Sequence, residues 1–96
     1  MYVLVTYDVA GGDADSARRL RRVAKLCCEH GQRVQYSVFE CLLEPAQYER
    51  LKVDLIGIID RSKDSLRFYN LGKNWKSRVE HFGANPGYDP EGLLII

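Results

Sequence analysis

The sequence is poor in the features that mark specialised protein classes. Its 96 residues contain no long apolar run, and the formal net charge is only +1. A membrane-spanning helix needs about 18 or more consecutive apolar residues, so no span is predicted. The chain also enters a strand-like run directly, without the charged start and short apolar core of a signal peptide. We therefore expect a cytoplasmic protein with one domain.

Cysteine and histidine are also scarce. The three cysteines, Cys27, Cys28 and Cys41, form no C-x-x-C pair, and the two histidines, His30 and His81, stand far apart. A zinc site needs closely spaced thiolate or imidazole ligands, so none is predicted. We expect the cysteines to be reduced thiols in or near the core.

The positive charges, by contrast, are concentrated in one segment. Positions 18–25 contain five basic residues and no acidic one: Arg18, Arg19, Arg21, Arg22 and Lys25. An idle surface helix usually alternates the sign of its charges, so this run predicts a helix face that binds nucleic-acid phosphates. The alternative is a face that is merely solvated.

Hydrophobic periodicity predicts the order β-α-β-β-α-β. The expected strands and helices cover residues 2–8, 14–30, 33–43, 45–59, 64–71 and 79–82, and the segment 33–43 reads as two tightly joined strands or one bent strand. This order predicts an α+β, ferredoxin-like fold with two helices on one face of an antiparallel sheet. Residues 1–83 would form the domain.

Local signals refine this prediction. The first strand is apolar enough to be buried on both faces. Asp15 or Ser16 suits the N-cap of the first helix, and Gly31 suits a left-handed residue after its end. Residues 72–76 read as a polar loop around Trp75.

The chain ends on four consecutive apolar residues, 93–96. Such a segment is expected to be buried rather than frayed. We expect residues 84–96 to form a connector and a C-terminal extension strand that is exchanged between the two subunits of a homodimer.

One acidic residue, Asp8, stands where the first strand reaches solvent. A carboxylate at the end of a rigid strand is well placed to bind a metal ion, although Asp also commonly caps a turn. Mg²⁺ needs only one or two protein carboxylates, so a two-fold axis near these strand ends would let paired Asp8 residues hold one ion.

Several short motifs together resemble a known family. The sequence Tyr-Asp-Val at 7–9 ends the first strand, Arg-Arg-Val-Ala occupies 21–24, and Gly-Gln-Arg-Val-Gln-Tyr-Ser-Val-Phe-Glu occupies 31–40. With the strand over 66–69 and the apolar C-terminus, they resemble the small CRISPR-associated adaptation proteins of the Cas2 family. The resemblance covers nearly the whole chain.

The resemblance implies a homodimeric nuclease that uses Mg²⁺, with Mn²⁺ as the alternative ion, on double-stranded DNA or single-stranded RNA. Asp8 matches the family's metal ligand, Arg22 best matches its helix arginine, and the implied catalytic cleft contains four further residues: Tyr7, Arg33, Ser37 and Phe39. The resemblance also implies the Cas1 integrase as a partner in spacer acquisition.

Three functions therefore remain open on the sequence. The first is the metal-dependent nuclease, and the second is a non-catalytic dimer that binds duplex DNA and bridges integrase subunits. The third is a nucleic-acid-binding domain outside CRISPR systems, which would stack bases on aromatic side chains of an open sheet. The candidates for stacking are Tyr36, Phe39, Phe68 and Tyr69.

Overall fold

The computed structural model describes residues 1–78, 80 and 82. Within them the elements are β1 (Tyr2–Asp8), α1 (Ala14–Cys28), β2 (Gly31–Gln35), β3 (Val38–Leu42), α2 (Pro45–Ile58), β4 (Ser65–Gly72) and a 3₁₀ turn (Trp75–Ser77). The predicted element order is confirmed up to β4. The strand predicted over 79–82 lies largely outside the described residues, as do the connector and the C-terminal strand over 84–96.

The strands form one antiparallel sheet in the order β2-β3-β1-β4, which places β1 in the interior. Val5 of β1 pairs with Phe39 of β3 on one side and with Phe68 of β4 on the other. Both helices contribute to the core on one face of this sheet. The rings of Tyr48 of α2 and Phe68 of β4 pack edge to face, with their centroids 6.0 Å apart. The predicted ferredoxin-like arrangement is confirmed.

The two faces of β1 differ in burial. Val3, Val5 and Tyr7 are buried beneath the helices, whereas Leu4 is half-buried and Asp8 is exposed on the opposite face. Alternate side chains of a strand point to opposite faces. On the second face Trp75 of the 3₁₀ turn covers Tyr2, but no described element covers Leu4, Thr6 and Asp8. The prediction of burial on both faces is therefore wrong for the described chain. We call this uncovered surface the open face.

The first helix begins at residue 14, as predicted, but neither of the two expected residues is its N-cap. Asp13, rather than Asp15 or Ser16, is the N-cap, and its carboxylate accepts a hydrogen bond from the Ser16 N–H at 2.8 Å. The Ser16 hydroxyl donates in turn to the Asp13 carbonyl at 2.9 Å. This exchange satisfies donors at the start of the helix that would otherwise be unpaired.

The helix ends at Cys28, and Gly31 does not occupy the expected left-handed position. It opens β2 instead, and a Cβ there would lie 1.7 Å from the carbonyl oxygen of Glu40. Glycine is needed at this position because β2 approaches β3 too closely for any side chain. The left-handed glycine near α1 is Gly11, whose φ is +84°, in the loop after β1.

The segment after Gly31 forms two strands, which confirms one of the two predicted alternatives. Tyr36 and Ser37 make the turn between them, and the register shifts between Arg33 and Gln35. The Tyr7 N–H donates to the Ser37 carbonyl at 2.9 Å, so the turn is held beside the end of β1.

Trp75 is not the exposed centre of a polar loop. It is buried in the 3₁₀ turn and stacks on Tyr2 with ring centroids 4.6 Å apart. Cys27 and Cys41 are buried free thiols, as expected for core cysteines, while Cys28 is exposed. Among the described residues, no helix is both long and apolar enough to cross a membrane.

Candidate functional site

A shallow depression of about 290 Å³ lies on the open face at the C-terminal end of β1. Thr6 and Asp8 of β1 pair with Arg67 and Ser65 of β4, which places these alternate residues on the same side of the sheet. The complete lining consists of Thr6, Tyr7, Asp8, Ser37, Ser65, Arg67 and Tyr69. All seven of these residues carry a hydroxyl or a charge, so the depression suits a polar or ionic ligand.

Asp8 is the one carboxylate in this lining. It is exposed, and within the described chain its side chain makes no hydrogen bond or ion pair. The alternative that Asp8 caps the following turn is wrong, because Asp13 caps α1 and Asp64 binds the loop N–H of Ala10. The carboxylate of Asp8 therefore faces solvent with its lone pairs available.

Arg67 supplies the positive charge of the depression. Its Nη1 donates to the Tyr69 hydroxyl at 3.4 Å, and its guanidinium is exposed. Because a guanidinium and neighbouring hydroxyls bind phosphate oxygens well, Arg67, Ser37 and Ser65 could hold a phosphate beside Asp8. The sequence analysis missed Arg67 and Ser65, although their alternation with Leu66 and Phe68 on β4 was the available signal.

Tyr7 borders the depression, but its ring points away from it, into the core under the helices. Its side chain is 1% exposed, and its hydroxyl donates to the Asp64 carboxylate. Burial and this hydrogen bond raise the pKa of Tyr7 to about 12, so the phenol is protonated at neutral pH. The predicted role of Tyr7 in the cleft is corrected to an internal contact.

Asp64 is the centre of a buried polar cluster that the sequence analysis did not identify. Its side chain is 0% exposed and accepts from Arg19 Nε at 2.8 Å, from the N–H groups of Ala10 and Asp60 at 3.0 Å each, and from the Tyr7 hydroxyl. Burial acts to raise the pKa of Asp64, but the hydrogen bonds outweigh it and hold the pKa well below its usual range. Asp64 is therefore a carboxylate at all ordinary pH values.

This cluster changes the interpretation of Arg19. The Arg19 side chain is 16% exposed and bound to Asp64, so it is turned inward and is removed from the predicted phosphate-binding set. Arg18 forms an exposed ion pair with Asp15 at 3.3 Å. The remaining members, Arg21, Arg22 and Lys25, are exposed and have no ion pair within the described chain.

The remaining basic side chains lie on the other side of the sheet from Asp8. The residues of α1 that face the sheet, Leu20 and Val23, pack in the core with Tyr7, while Asp8 points to the open face. Within one chain the sheet therefore separates the basic surface of α1 from Asp8.

The other predicted cleft residues also divide. Phe39 is fully buried in the core and cannot touch a substrate, which corrects its predicted position. The Arg33 guanidinium lies over the rings of Tyr36 and Phe39, at 5.3 and 5.4 Å from their centroids, and does not line the depression. Of the five predicted cleft residues, Asp8 and Ser37 are the two whose side chains lie together in the depression.

Whether a metal ion fits the depression depends on the ligand atoms that its residues offer. The described residues contain no group of three or more His, Cys, Asp or Glu side chains that could hold an ion. Mg²⁺ retains several waters and takes its remaining ligands from one or two carboxylates and from substrate oxygens. Asp8 of one chain thus fits half of a two-carboxylate site, with Ser37 and Ser65 as nearby oxygens.

Comparison with known proteins identifies the family. Residues 1–79 match the family model described as CRISPR associated protein Cas2. The chain is 58% identical over its whole length to the CRISPR-associated endoribonuclease Cas2 of Nitratidesulfovibrio vulgaris, covering 94% of that protein. It is 53% identical to the CRISPR-associated endonuclease Cas2 of Halalkalibacterium halodurans, covering the full length of both.

A solved structure supports the same assignment. The crystal structure of Streptococcus pyogenes Cas2 at pH 6.5 matches with a TM-score of 0.77 and 57% identity, over 86% of this chain and 100% of that one. These matches are incompatible with the third sequence-based alternative, a nucleic-acid-binding domain outside CRISPR systems. The chain belongs to the CRISPR-associated Cas2 family.

Proposed function

We propose that this protein is a Mg²⁺-dependent endonuclease that hydrolyses phosphodiester bonds as a homodimer in the cytoplasm. The observation that carries the proposal is the exposed carboxylate of Asp8, which has no partner in the described chain and shares a polar depression with Arg67. The names of the relatives, one an endoribonuclease and another an endonuclease, support nuclease activity. Single-stranded RNA and double-stranded DNA are the two candidate substrates.

In this proposal the residues of the depression have two roles, metal binding and phosphate binding. Asp8 binds the metal ion, with Mg²⁺ as the expected ion and Mn²⁺ as the alternative. Ser37, Ser65 and Arg67 bind and orient the phosphate, and the Arg67 guanidinium offsets the negative charge that develops on it. When bound, the ion would supply Lewis-acid activation of the phosphate and of a water molecule.

The homodimer in the proposal is supported by the open face. Leu4 of β1 and Val38 and Leu42 of β3 share this face and are half-buried, which is a more apolar surface than a solvated sheet needs. A second copy of the chain on this face would bring two Asp8 carboxylates together if the two-fold axis passed near the strand ends. One ion would then receive two carboxylates, within the one or two that Mg²⁺ usually takes from a protein.

The decisive experiment compares cleavage by the wild type, Asp8→Asn and Asp54→Asn, purified identically. Asp54 is a matched control because it is a surface aspartate on α2, paired with Arg50 at 3.2 Å and remote from the depression. Duplex DNA and single-stranded RNA are each incubated with and without Mg²⁺. We expect cleavage to disappear in Asp8→Asn and to persist in Asp54→Asn; equal cleavage by all three would refute the catalytic assignment.

A second candidate function is the non-catalytic dimer that binds duplex DNA and bridges subunits of the Cas1 integrase in spacer acquisition. The observation in its favour is the separation of the exposed basic side chains of α1 from Asp8 by the sheet. A surface that is remote from the acid suits the binding of DNA better than its cleavage. The two functions are compatible in one molecule because they use different faces.

Salt dependence of DNA binding tests this second function. Replacing Arg21, Arg22 and Lys25 with Gln should flatten the slope of log K against log salt by up to about 3, since each phosphate contact contributes about one unit. The control removes three basic residues of the other helix and its following loop: Arg50, Lys52 and Arg61. Equal slopes for both triple variants would show that the basic surface of α1 does not bind DNA specifically.

A further inference from the structure

We infer that Asp64 is the positioning residue of this site, because it fixes the backbone that carries Asp8. This inference rests on the proposed function of Asp8 as a metal ligand. It concerns a residue that does not line the depression and that reaches the site through its hydrogen bonds and its chain neighbour Ser65.

Asp64 binds the chain on both sides of Asp8. One oxygen accepts from the Tyr7 hydroxyl, directly before Asp8, and the other accepts from the Ala10 N–H, two residues after it, at 3.0 Å. The segment 9–12 has no helix or strand pairing and contains the consecutive glycines Gly11 and Gly12. Val9 packs against the core, and the hydrogen bond from the Ala10 N–H to Asp64 is the other contact that anchors this segment.

Asp64 is itself held rigidly. Arg19 of α1 donates to it from Nε at 2.8 Å and from Nη2 at 3.3 Å, and the Asp60 N–H donates at 3.0 Å. The carboxylate thereby joins α1, the loop after β1 and the loop before β4 at one buried point. A two-pronged guanidinium pair fixes orientation as well as distance.

The side chain of Asp8 has no described partner, so its position depends on the backbone, which is held by the pairing with Ser65 and by this cluster. A metal ligand normally receives its orientation from hydrogen bonds to the ligand itself. Here the residues on either side of Asp8 orient it instead, because the Tyr7 hydroxyl and the Ala10 N–H both donate hydrogen bonds to Asp64. An error of about 1 Å in placing a reacting group can cost about 100-fold in rate.

The consequence is a specific pattern in kinetics and metal binding. Asp64→Asn keeps the size of the side chain but removes the charge that Arg19 binds and one acceptor position. We expect kcat to fall at least about tenfold with little change in KM, since the substrate groups Arg67 and Ser65 are untouched. We expect the affinity for Mn²⁺, used as an EPR-visible probe, to fall as well.

The experiment compares Asp64→Asn with Leu51→Ala, a control that truncates a core side chain of α2 and removes none of the hydrogen bonds of Asp64. Both variants are assayed at a temperature where circular dichroism shows them folded. The measurements are kcat and KM for Mg²⁺-dependent cleavage, the Mn²⁺ affinity, and amide hydrogen exchange at Ala10. Asp64→Asn should lower kcat, weaken Mn²⁺ binding and speed exchange, while Leu51→Ala should match the wild type in all three.

A folded Asp64→Asn with the wild-type kcat and Mn²⁺ affinity would overturn the inference and leave Asp64 a purely structural residue. If Asp64→Asn does not fold, Tyr7→Phe removes a single hydrogen bond of the cluster and must show the same changes at smaller size; unchanged values would again overturn it. Failure of the proposed function is recognised separately, because Asp8→Asn would then cleave as the wild type does. The Mn²⁺ affinity alone would decide the role of Asp64 in that case.

Discussion

Two adjacent residues at the end of β1 point their side chains to opposite faces of the sheet. Tyr7 points under the helices, is 1% exposed and donates a hydrogen bond to a buried carboxylate. Asp8 points to the open face, is exposed and has no partner within the described chain. Because a strand alternates its side chains, one short segment provides both an anchor for the fold and a group that is free to bind a ligand.

Three acidic residues near this strand end differ in burial and in the hydrogen bonds that they accept. Asp64 is fully buried and accepts several hydrogen bonds, Asp13 is exposed but caps α1, and Asp8 binds no described group. Stability should therefore depend on these acids in that order. Activity should depend on Asp8 first, so stability and activity should rank the same residues differently.

The largest effect on stability is expected for Asp64→Ala. Removing one partner of a buried ion pair leaves the Arg19 guanidinium and two backbone N–H groups without their acceptor, which costs roughly 3–5 kcal/mol of unfolding free energy. Urea denaturation at pH 7 measures this loss. A loss no larger than that of Asp8→Ala would show that the cluster is solvated and not a true anchor.

A second effect of the same cluster is its dependence on pH. The pKa of Asp64 is lower in the folded chain than in the unfolded one, so its contribution to stability is full above about pH 4 and declines as the pH falls further. The wild type should therefore lose stability on acidification below pH 4 more steeply than Asp64→Asn.

The same comparison controls for the other acids. The pKa values of Asp13 and Asp60 are also lowered, by hydrogen bonds from Ser16 and Ser62, but both groups remain in the variant. The difference between the two pH profiles thus isolates Asp64. Parallel profiles would mean that its pKa is not lowered by folding.

An intermediate effect is expected for Asp13→Ala. The substitution removes the side-chain acceptor of the Ser16 N–H, and loss of an N-cap in a domain of this size should lower Tm by roughly 4 °C. Asp13→Asn is the control, because Asn caps a helix about as well as Asp and should nearly restore Tm. Equal losses in both variants would point to the charge instead of the cap.

Much of the fold was predictable from local sequence signals. The periodicity of apolar residues indicated every described strand and α-helix, and Pro45 marked the start of α2 correctly. The errors arose where distant contacts decide the outcome. Gly31 is required by the approach of Glu40 across the sheet, and Trp75 is buried because Tyr2 lies beneath it.

The site was predictable in part. A single acid at the end of an apolar strand pointed to Asp8, and the depression around it supports that choice. The interior role of Arg19 could not be read from a run of similar arginines, because only one of them faces Asp64. Asp64 itself gave no signal, since an acid after a polar turn is ordinary and its side-chain partners, Tyr7 and Arg19, lie 45 or more residues earlier along the chain.

The smallest effect on stability is expected for Asp8→Ala. An exposed side chain without a partner contributes little, so Tm should stay within about 2 °C of the wild type and could rise if two such carboxylates repel each other in a dimer. Differential scanning calorimetry measures this shift, alongside the cleavage assay on the same samples. A large loss of Tm would mean that Asp8 has a structural partner, which the segments outside the described residues or the second subunit would have to supply. An unchanged Tm with abolished cleavage would show that Asp8 serves catalysis and not stability. Asp64, the acid proposed to position it, lies on the opposite face of the sheet and serves both.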